Sequence, residues 1–436
     1  MYELDPPAVY VHQRVLADDR YRQRMQRVVA ALKTPLEPKT FCDDDLLDMI
    51  GQGLLASRVP MGTIGQVRDP ALIFNTFRFD HEQEQRLAWA KEKLAGVWVW
   101  ENTLRSLLGY AAFNWANYNL EGDHARHDKV CRPCWRIHLQ EGCVHRCGYC
   151  PLGGALISML NIEDYCRHLG QIIERHPWQE TYLLDDDGDP PCLEPQQGTL
   201  GHLIEYFGTL KGRYLVIHTK TWNTDWLRGL KHNGNTIMVW SLSGATQSKV
   251  IEPRTGTTIQ RIEAARVAQD AGYTVRYKFK PIIPVRNWRQ DAEQAVELLF
   301  ARTRPDLISL GVYMWMDIDE MLRRVPRELL DDSFVQAAID AKDAMKDTLA
   351  RPFPPQVRET IYEHFLREIR RWDKDVPVSL STENFAMWKQ LGQKLGATAT
   401  TYVCGCGPNS IPGLKSLNCH PFHTAVRNDA GIPCTY

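Results

Sequence analysis

Three cysteines fall in one short run, Glu141-Gly-Cys-Val-His-Arg-Cys-Gly-Tyr-Cys150, spaced C-x3-C-x2-C. A thiolate is the ligand form of cysteine, and three on one loop can hold three corners of an iron–sulfur cubane while leaving one iron open. Tetrahedral zinc is the competing chemistry, because C-x2-C pairs are common there and Cys131 and Cys134 lie just upstream. Spacing alone leaves both open. A second group of thiols ends the chain: Cys404-Gly-Cys406, then Cys419 and Cys434, with His420 and His423 nearby. Four thiols among Gly and Pro suit an auxiliary Fe–S cluster, or else a structural zinc. Cys131 and Cys134 can complete that site or make another. Cys42 and Cys166 read most simply as structural. The amino terminus has no basic segment followed by an apolar one, which implies a cytoplasmic chain. Clustered thiols there mean metal or redox chemistry rather than disulfides.

The elements that must position these thiols follow from apolar patterning. Residues 1–130 show no strand-like alternation. Arg20–Leu32, Asp43–Leu55 and His81–Leu107 have helical spacing, so a helical N-terminal region is expected, with Trp98, Trp100 and Trp115 in its core. In 131–350, apolar runs recur at Trp135–Leu139, Thr181–Leu184, Tyr214–Ile217, Ile237–Leu242, Val275–Ile283 and Leu307–Trp315. Most are followed by a helical pattern. The clearest helix opens on a capping box, Thr257-x-x-Gln260, and stops before Gly272. The alternation predicts an α/β fold, an incomplete parallel (βα)6 barrel, with its chemistry at the carboxyl ends of the strands. Arg351–Pro355 reads as a linker opening a closing segment, 351–400, with a charged helix at Thr360–Trp372. The Cys-rich C-terminal tail is 401–436.

The cysteine loop follows the first strand of the βα series, Tyr149 precedes its last Cys, and Pro151-Leu-Gly-Gly154 follows it. This combination resembles the radical S-adenosylmethionine (radical SAM) superfamily. Within it, the middle of the chain resembles the spore photoproduct lyase family. The likeness rests on Thr219-Lys220, Lys231–Asn235, Trp240-Ser-Leu-Ser243, Ile251-Glu-Pro-Arg-Thr-Gly256, Arg261–Ala265, Ala271–Tyr273, Lys280-Pro-Ile-Ile-Pro284 and Pro377–Glu383, taken in order with the loop. The resemblance implies a catalytic 4Fe-4S cluster on Cys143, Cys147 and Cys150, whose open iron chelates S-adenosylmethionine. It implies contacts to that cosubstrate from Lys220, Ser241 and Ser243, and an ammonium partner in Asp185–Asp187, represented by Asp186. It also implies a hydrogen-donating thiol at Cys192 and a relay tyrosine at Tyr149. Position 151 is Pro where the family has a second tyrosine, and the family has no matching tail.

The expected function is therefore radical SAM chemistry. A 5′-deoxyadenosyl radical abstracts hydrogen from a nucleoside, a nucleotide or a nucleic-acid base. An auxiliary Fe–S cluster in the tail then supports redox chemistry or sulfur insertion, and a flavodoxin- or ferredoxin-type donor supplies electrons. The first alternative is the family's own repair of a thymine dimer in DNA. The second is a zinc-stabilised nucleic-acid-binding protein without catalysis. With 52 Lys+Arg against 53 Asp+Glu, bulk positive charge does not hold nucleic acid. A composition of 44% hydrophobic and 24% charged residues excludes disorder. No apolar run nears the roughly 18 residues that span a bilayer, so no membrane partner is expected.

Overall fold

The computed structural model describes residues 1–51, 53–54, 69–94, 96–97, 99–116, 129–150, 152, 154–184 and 187–417. All six apolar runs of the central segment are strands: β5 (Cys134–Ile137), β8 (Thr181–Leu184), β9 (Tyr214–Thr219), β10 (Thr236–Ser241), β11 (Thr274–Ile282) and β12 (Ile308–Val312). They pair in sequence order, each parallel to the next. β13 (Val378–Leu380) adds parallel to β12, and β4 (Phe113–Ala116) adds antiparallel to β5, completing an eight-stranded sheet. Parallel strands packed on both faces read as continuous apolar runs, which is why these were visible in the sequence. Helices Thr199–Thr209, Thr258–Asp270 and Trp288–Arg302 connect them.

The amino-terminal region is not simply helical. Helices Asp19–Ala30, Asp43–Gly51, Gln83–Lys93 and Glu101–Leu108 are present, but so are β1 (Val9–His12), β2 (Lys39–Phe41) and β3 (Ala71–Asn75). With β6 (Gln140–Glu141) and β7 (Ala155–Met159) they form a second sheet in the order β2-β1-β3-β7-β6. Its strands are short, and β3 is buried at every position, so no alternation betrays it. β3 pairs in parallel with β7, which joins chain on either side of residue 130 in one sheet. Asp43 fastens this region, accepting from His12 Nε2 (3.0 Å), Arg14 Nη1 (3.1 Å) and Arg78.

Arg351–Pro355 is not a free linker. Phe353 is fully buried, and Pro355 sits in the first turn of a helix that runs to Trp372, where a missing N–H is harmless. Buried Arg358 of that helix donates to Glu383 Oε1 (2.8 Å) beyond β13. The tail as far as 417 crosses the amino-terminal ends of the larger sheet. The amides of Glu180 and Thr181 donate to Pro408 O (2.8 and 2.9 Å), Arg276 Nη2 to Ile411 O (3.1 Å), and Gly405 N to Ser309 Oγ (3.3 Å). No helix among the described residues is long and apolar enough to cross a membrane.

The capping box forms as read. Gln260 N donates to Thr257 Oγ1 (3.3 Å) and Thr257 N to Gln260 Oε1 (2.9 Å). Thr257→Ala should cost about 1 kcal/mol, read as a lower denaturant midpoint with unchanged m-value.

Candidate functional site

The cysteine loop leaves β6 at Gly142, whose φ is +90°, and a Cβ there would lie 1.9 Å from Ala155 O. Only glycine fits. Gly142 N donates to Asp187 O (2.9 Å) and Gly148 N to Ile251 O (2.8 Å), which ties the loop to the segments after β8 and β10. The His145 ring spans the same two segments, with Nδ1 3.0 Å from Arg254 O and Nε2 2.8 Å from Asp189 Oδ2. Within the loop, Cys150 N donates to Cys147 O (2.9 Å), and His145 N donates to Cys143 Sγ (3.4 Å).

Beneath the loop lies a buried carboxylate, Glu252. Tyr149 Oη (2.7 Å), Lys220 Nζ (2.9 Å) and Gln247 Nε2 (3.1 Å) donate to its Oε1. Arg261 Nη2 (2.6 Å) and Ser243 Oγ (2.9 Å) donate to its Oε2. Burial pushes this carboxyl up, but Lys220 and Arg261 outweigh it and hold it well below the usual carboxylate range. Lys220 Nζ also donates to Tyr149 Oη (2.8 Å). Asp189 secures the backbone alongside, accepting from Lys220 N (2.7 Å) and Thr219 Oγ1 (2.7 Å).

Tyr149, Asp189, Thr219 and Lys220 of this network border a cavity of about 590 Å³. Cys143, Cys147, Cys150 and Tyr149 line it with Lys220 and Ser241, at the carboxyl ends of β9 and β10. Cys131, Cys404, Cys406, Arg136, Lys278 and Lys280 line it as well. Burial comes first in raising all three loop thiols, with Asp189 and Cys147 adding to it at Cys143. Cys147 is pushed up to about 12. Thiols that resist ionising alone but sit together suit a site whose cations bring the balancing charge. Among the described residues, two groups of side chains gather their ligand atoms within 4.8 Å, His145/Asp189/Cys192 and Glu293/His364/Glu368, and the loop thiols are not among them. One tetrahedral zinc would draw thiolates to about 3.8 Å of one another, whereas a cubane holds them on separate irons. The donor set fits a cluster.

The sequence-predicted residues separate into those on the cavity wall and those behind it. Cys143, Cys147, Cys150, Tyr149, Lys220 and Ser241 are on the wall. Ser243 is not: it is 4% exposed and spends its hydroxyl on Glu252. Cys192 is 1% exposed and sits behind His145, its Sγ 3.5 Å from Nε2, in the apolar cluster that holds Tyr2, Val144 and Leu193. Asp186, Cys419 and Cys434 lie outside the described residues, as does Trp98. Trp100 borders the cavity rather than the core, whereas Trp115 packs on Trp135. Sequence reasoning passed over Glu252, Asp189 and the lysines of β11. The last had a signal: Arg276, Lys278 and Lys280 alternate along an otherwise apolar strand, which puts their charges on one face.

Residues 130–311 match the family model described as spore photoproduct lyase. The chain is similar to the spore photoproduct lyases. It is 27% identical over 178 residues to that of Clostridium acetobutylicum (39% of this chain, 53% of that one). To that of Bacillus subtilis it is 28% identical over 180 residues (40% and 53%). The chain thus matches about half the length of these curated relatives. Among solved structures, spore photoproduct lyase complexed with dinucleoside spore photoproduct superposes with a TM-score of 0.58 at 14% identity, covering 87% of this chain and 99% of that one. A variant with bound AdoMet and the same dinucleoside gives 0.58 at 15% identity, with the same coverage. These structures share the α/β fold with its parallel sheets.

Glu252→Gln should strand Lys220 and Arg261 in the interior and cost about 3–5 kcal/mol at pH 7. The Glu252 carboxyl is held below its ordinary value of 4.5. Its contribution is therefore complete above about pH 4.5 and is lost as the pH falls below that. The gap between parent and variant should narrow on acidification, read from denaturant midpoints at pH 7 and pH 3.5.

Proposed function

We propose that this chain is a radical SAM enzyme of the spore photoproduct lyase type, its larger sheet curved as an incomplete parallel barrel. The observation that carries the reading is the opening of Cys143, Cys147 and Cys150 onto one cavity with Lys220 and Ser241, at the carboxyl ends of parallel strands. When bound, a 4Fe-4S cluster with one open iron supplies the electron that cleaves S-adenosylmethionine to methionine and a 5′-deoxyadenosyl radical. The chain's own residues position and shield. Lys220, steadied by Glu252 and Tyr149, offers an ammonium to a ligand carboxylate. Ser241 offers a hydroxyl, Asp187 or the expected Asp186 meets an ammonium, and Asp189 fixes the backbone that carries Lys220. Electrons come from a flavodoxin- or ferredoxin-type donor.

For the substrate, we propose a thymine lesion of the spore photoproduct class and repair by bond cleavage. The similarity to spore photoproduct lyases, one of them solved with a dinucleoside spore photoproduct, supports this over modification of an ordinary nucleoside. One observation favours the modification reading: Cys192, the expected hydrogen donor, is off the cavity wall, while Cys131, Cys404 and Cys406 are on it.

Anaerobic, dithionite-reduced protein should convert S-adenosylmethionine to 5′-deoxyadenosine, and replacing Cys143, Cys147 and Cys150 together by Ala should abolish it. Persistent cleavage by the triple variant would refute the radical reading. With dinucleoside spore photoproduct, the repair reading predicts thymine-containing product from the parent. Cys192→Ala should still form 5′-deoxyadenosine. Solvent deuterium in the parent's product but not the variant's would assign the hydrogen to Cys192. Deuterium in both would assign it to another exchangeable group.

A further inference from the structure

Cys404 and Cys406 stand apart from the loop that explains the proposed radical chemistry, yet they line the same cavity. They are not alone there. Cys131 shares the wall, and Cys134, buried at the start of β5, lies within electrostatic reach of both Cys131 and Cys406. Chain segments far apart in sequence thus bring a C-x2-C pair and a C-x-C pair to one place. Neither pair is held casually. Arg132, between the first two cysteines, donates to Thr400 O (3.1 Å) and lies 4.2 Å from the centre of the Tyr402 ring. Arg276 bonds Ile411 O, and Gly405 N bonds Ser309 Oγ. Gly407 leaves room for the thiol: a Cβ there would lie 2.7 Å from Cys404 Sγ. The amide of Cys404 is taken by Ser410 Oγ (3.3 Å), whose hydroxyl lies 4.0 Å from Cys404 Sγ.

We propose that Cys131, Cys134, Cys404 and Cys406 ligate a second metal centre, an iron–sulfur cluster at the amino-terminal end of the sheet, facing the loop thiols across the cavity. Four thiolates are the usual complement of such a cluster. On binding, each thiol gives its proton to the medium and its sulfur to iron. The resulting anionic assembly meets Arg136, Lys278 and Lys280 on the cavity wall, so the negative charge is answered in place. Zinc on the same four thiolates is the competing occupant, and metal analysis separates the two. The set is complete without Cys419 and Cys434, which the sequence pattern alone had paired with Cys404 and Cys406. A substrate in the cavity would lie between two redox centres.

The test needs no S-adenosylmethionine and no turnover, so it stands or falls separately from the radical reading. After anaerobic reconstitution with iron and sulfide, the parent should hold about eight irons per chain and the Cys143/Cys147/Cys150→Ala variant about four, as two clusters of four irons each require. In that background, Cys131→Ser with Cys134→Ser should lose the remaining iron and its visible absorption. Cys419→Ser with Cys434→Ser should keep both. Zinc in place of iron, a triple variant without iron, or loss of iron only with the Cys419/Cys434 pair would each overturn the proposal. Far-UV circular dichroism shows whether a variant has folded, and the parent's count of eight against four decides whether a second cluster exists even if one has not.

Discussion

Glu252 has no solvent exposure, yet it carries a charge that Lys220, Arg261, Tyr149, Ser243 and Gln247 together satisfy. An ionised carboxylate in the interior is tolerable only when such donors converge on it, and their convergence fixes the parts of the site. Tyr149 belongs to the cysteine loop, Lys220 follows β9, Ser243 follows β10, and Arg261 lies on the capped helix behind them. One charge therefore sets the loop's height above the strands. It also explains why Ser243, though expected to contact the cosubstrate, has its hydroxyl turned inward.

The cavity is bounded by opposite logics. Near the loop, backbone amides and a buried carboxylate hold three thiols in place. Near the tail, Arg136, Lys278 and Lys280 surround thiols instead. There Cys406 is held down first by a hydrogen bond from Cys404, then by Lys278, Arg136 and Lys280, against its burial. Cys404, the donor of that bond, is held up. Lys280 is itself pushed well below its ordinary value, by burial first and then by Lys278 and Lys129. Its ammonium reaches Ser381 Oγ (3.2 Å) and Thr382 Oγ1 (2.6 Å) and lies over Trp315 (4.6 Å). The tail is thus an integral wall of the cavity, tied by its backbone to the starts of β8, β11 and β12.

The comparisons and the architecture divide the molecule differently. The family model ends at residue 311, but the eight-stranded sheet continues through β13, and the tail returns beneath it. The family model begins at residue 130, but β7 is shared with strands from the amino-terminal region. The sequence match to the lyases is confined to a central segment, whereas the fold is shared over 87% of the chain. Cys404 and Cys406 come from outside that segment, whereas Arg136, Lys278 and Lys280, the cations around them, lie within it.

The sequence alone was enough for the C-x3-C-x2-C loop, the six consecutive parallel strands β5 and β8 to β12, the capping box and the family likeness, because each is written in local spacing or in uninterrupted apolar runs. It was not enough for β1 and β2, too short to show a period, or for β3 and β7, buried at every position. It pointed to Cys192 by position along the chain, whereas burial behind His145 is a matter of how the segment after β8 packs on the amino terminus. It placed Cys404 and Cys406 with their nearest neighbours in sequence. Only the tertiary structure, by carrying the tail across the strand ends, set them beside Cys131 and Cys134. Spacing determines which ligands a loop can offer, but chain segments hundreds of residues apart meet only where packing and hydrogen bonding bring them together.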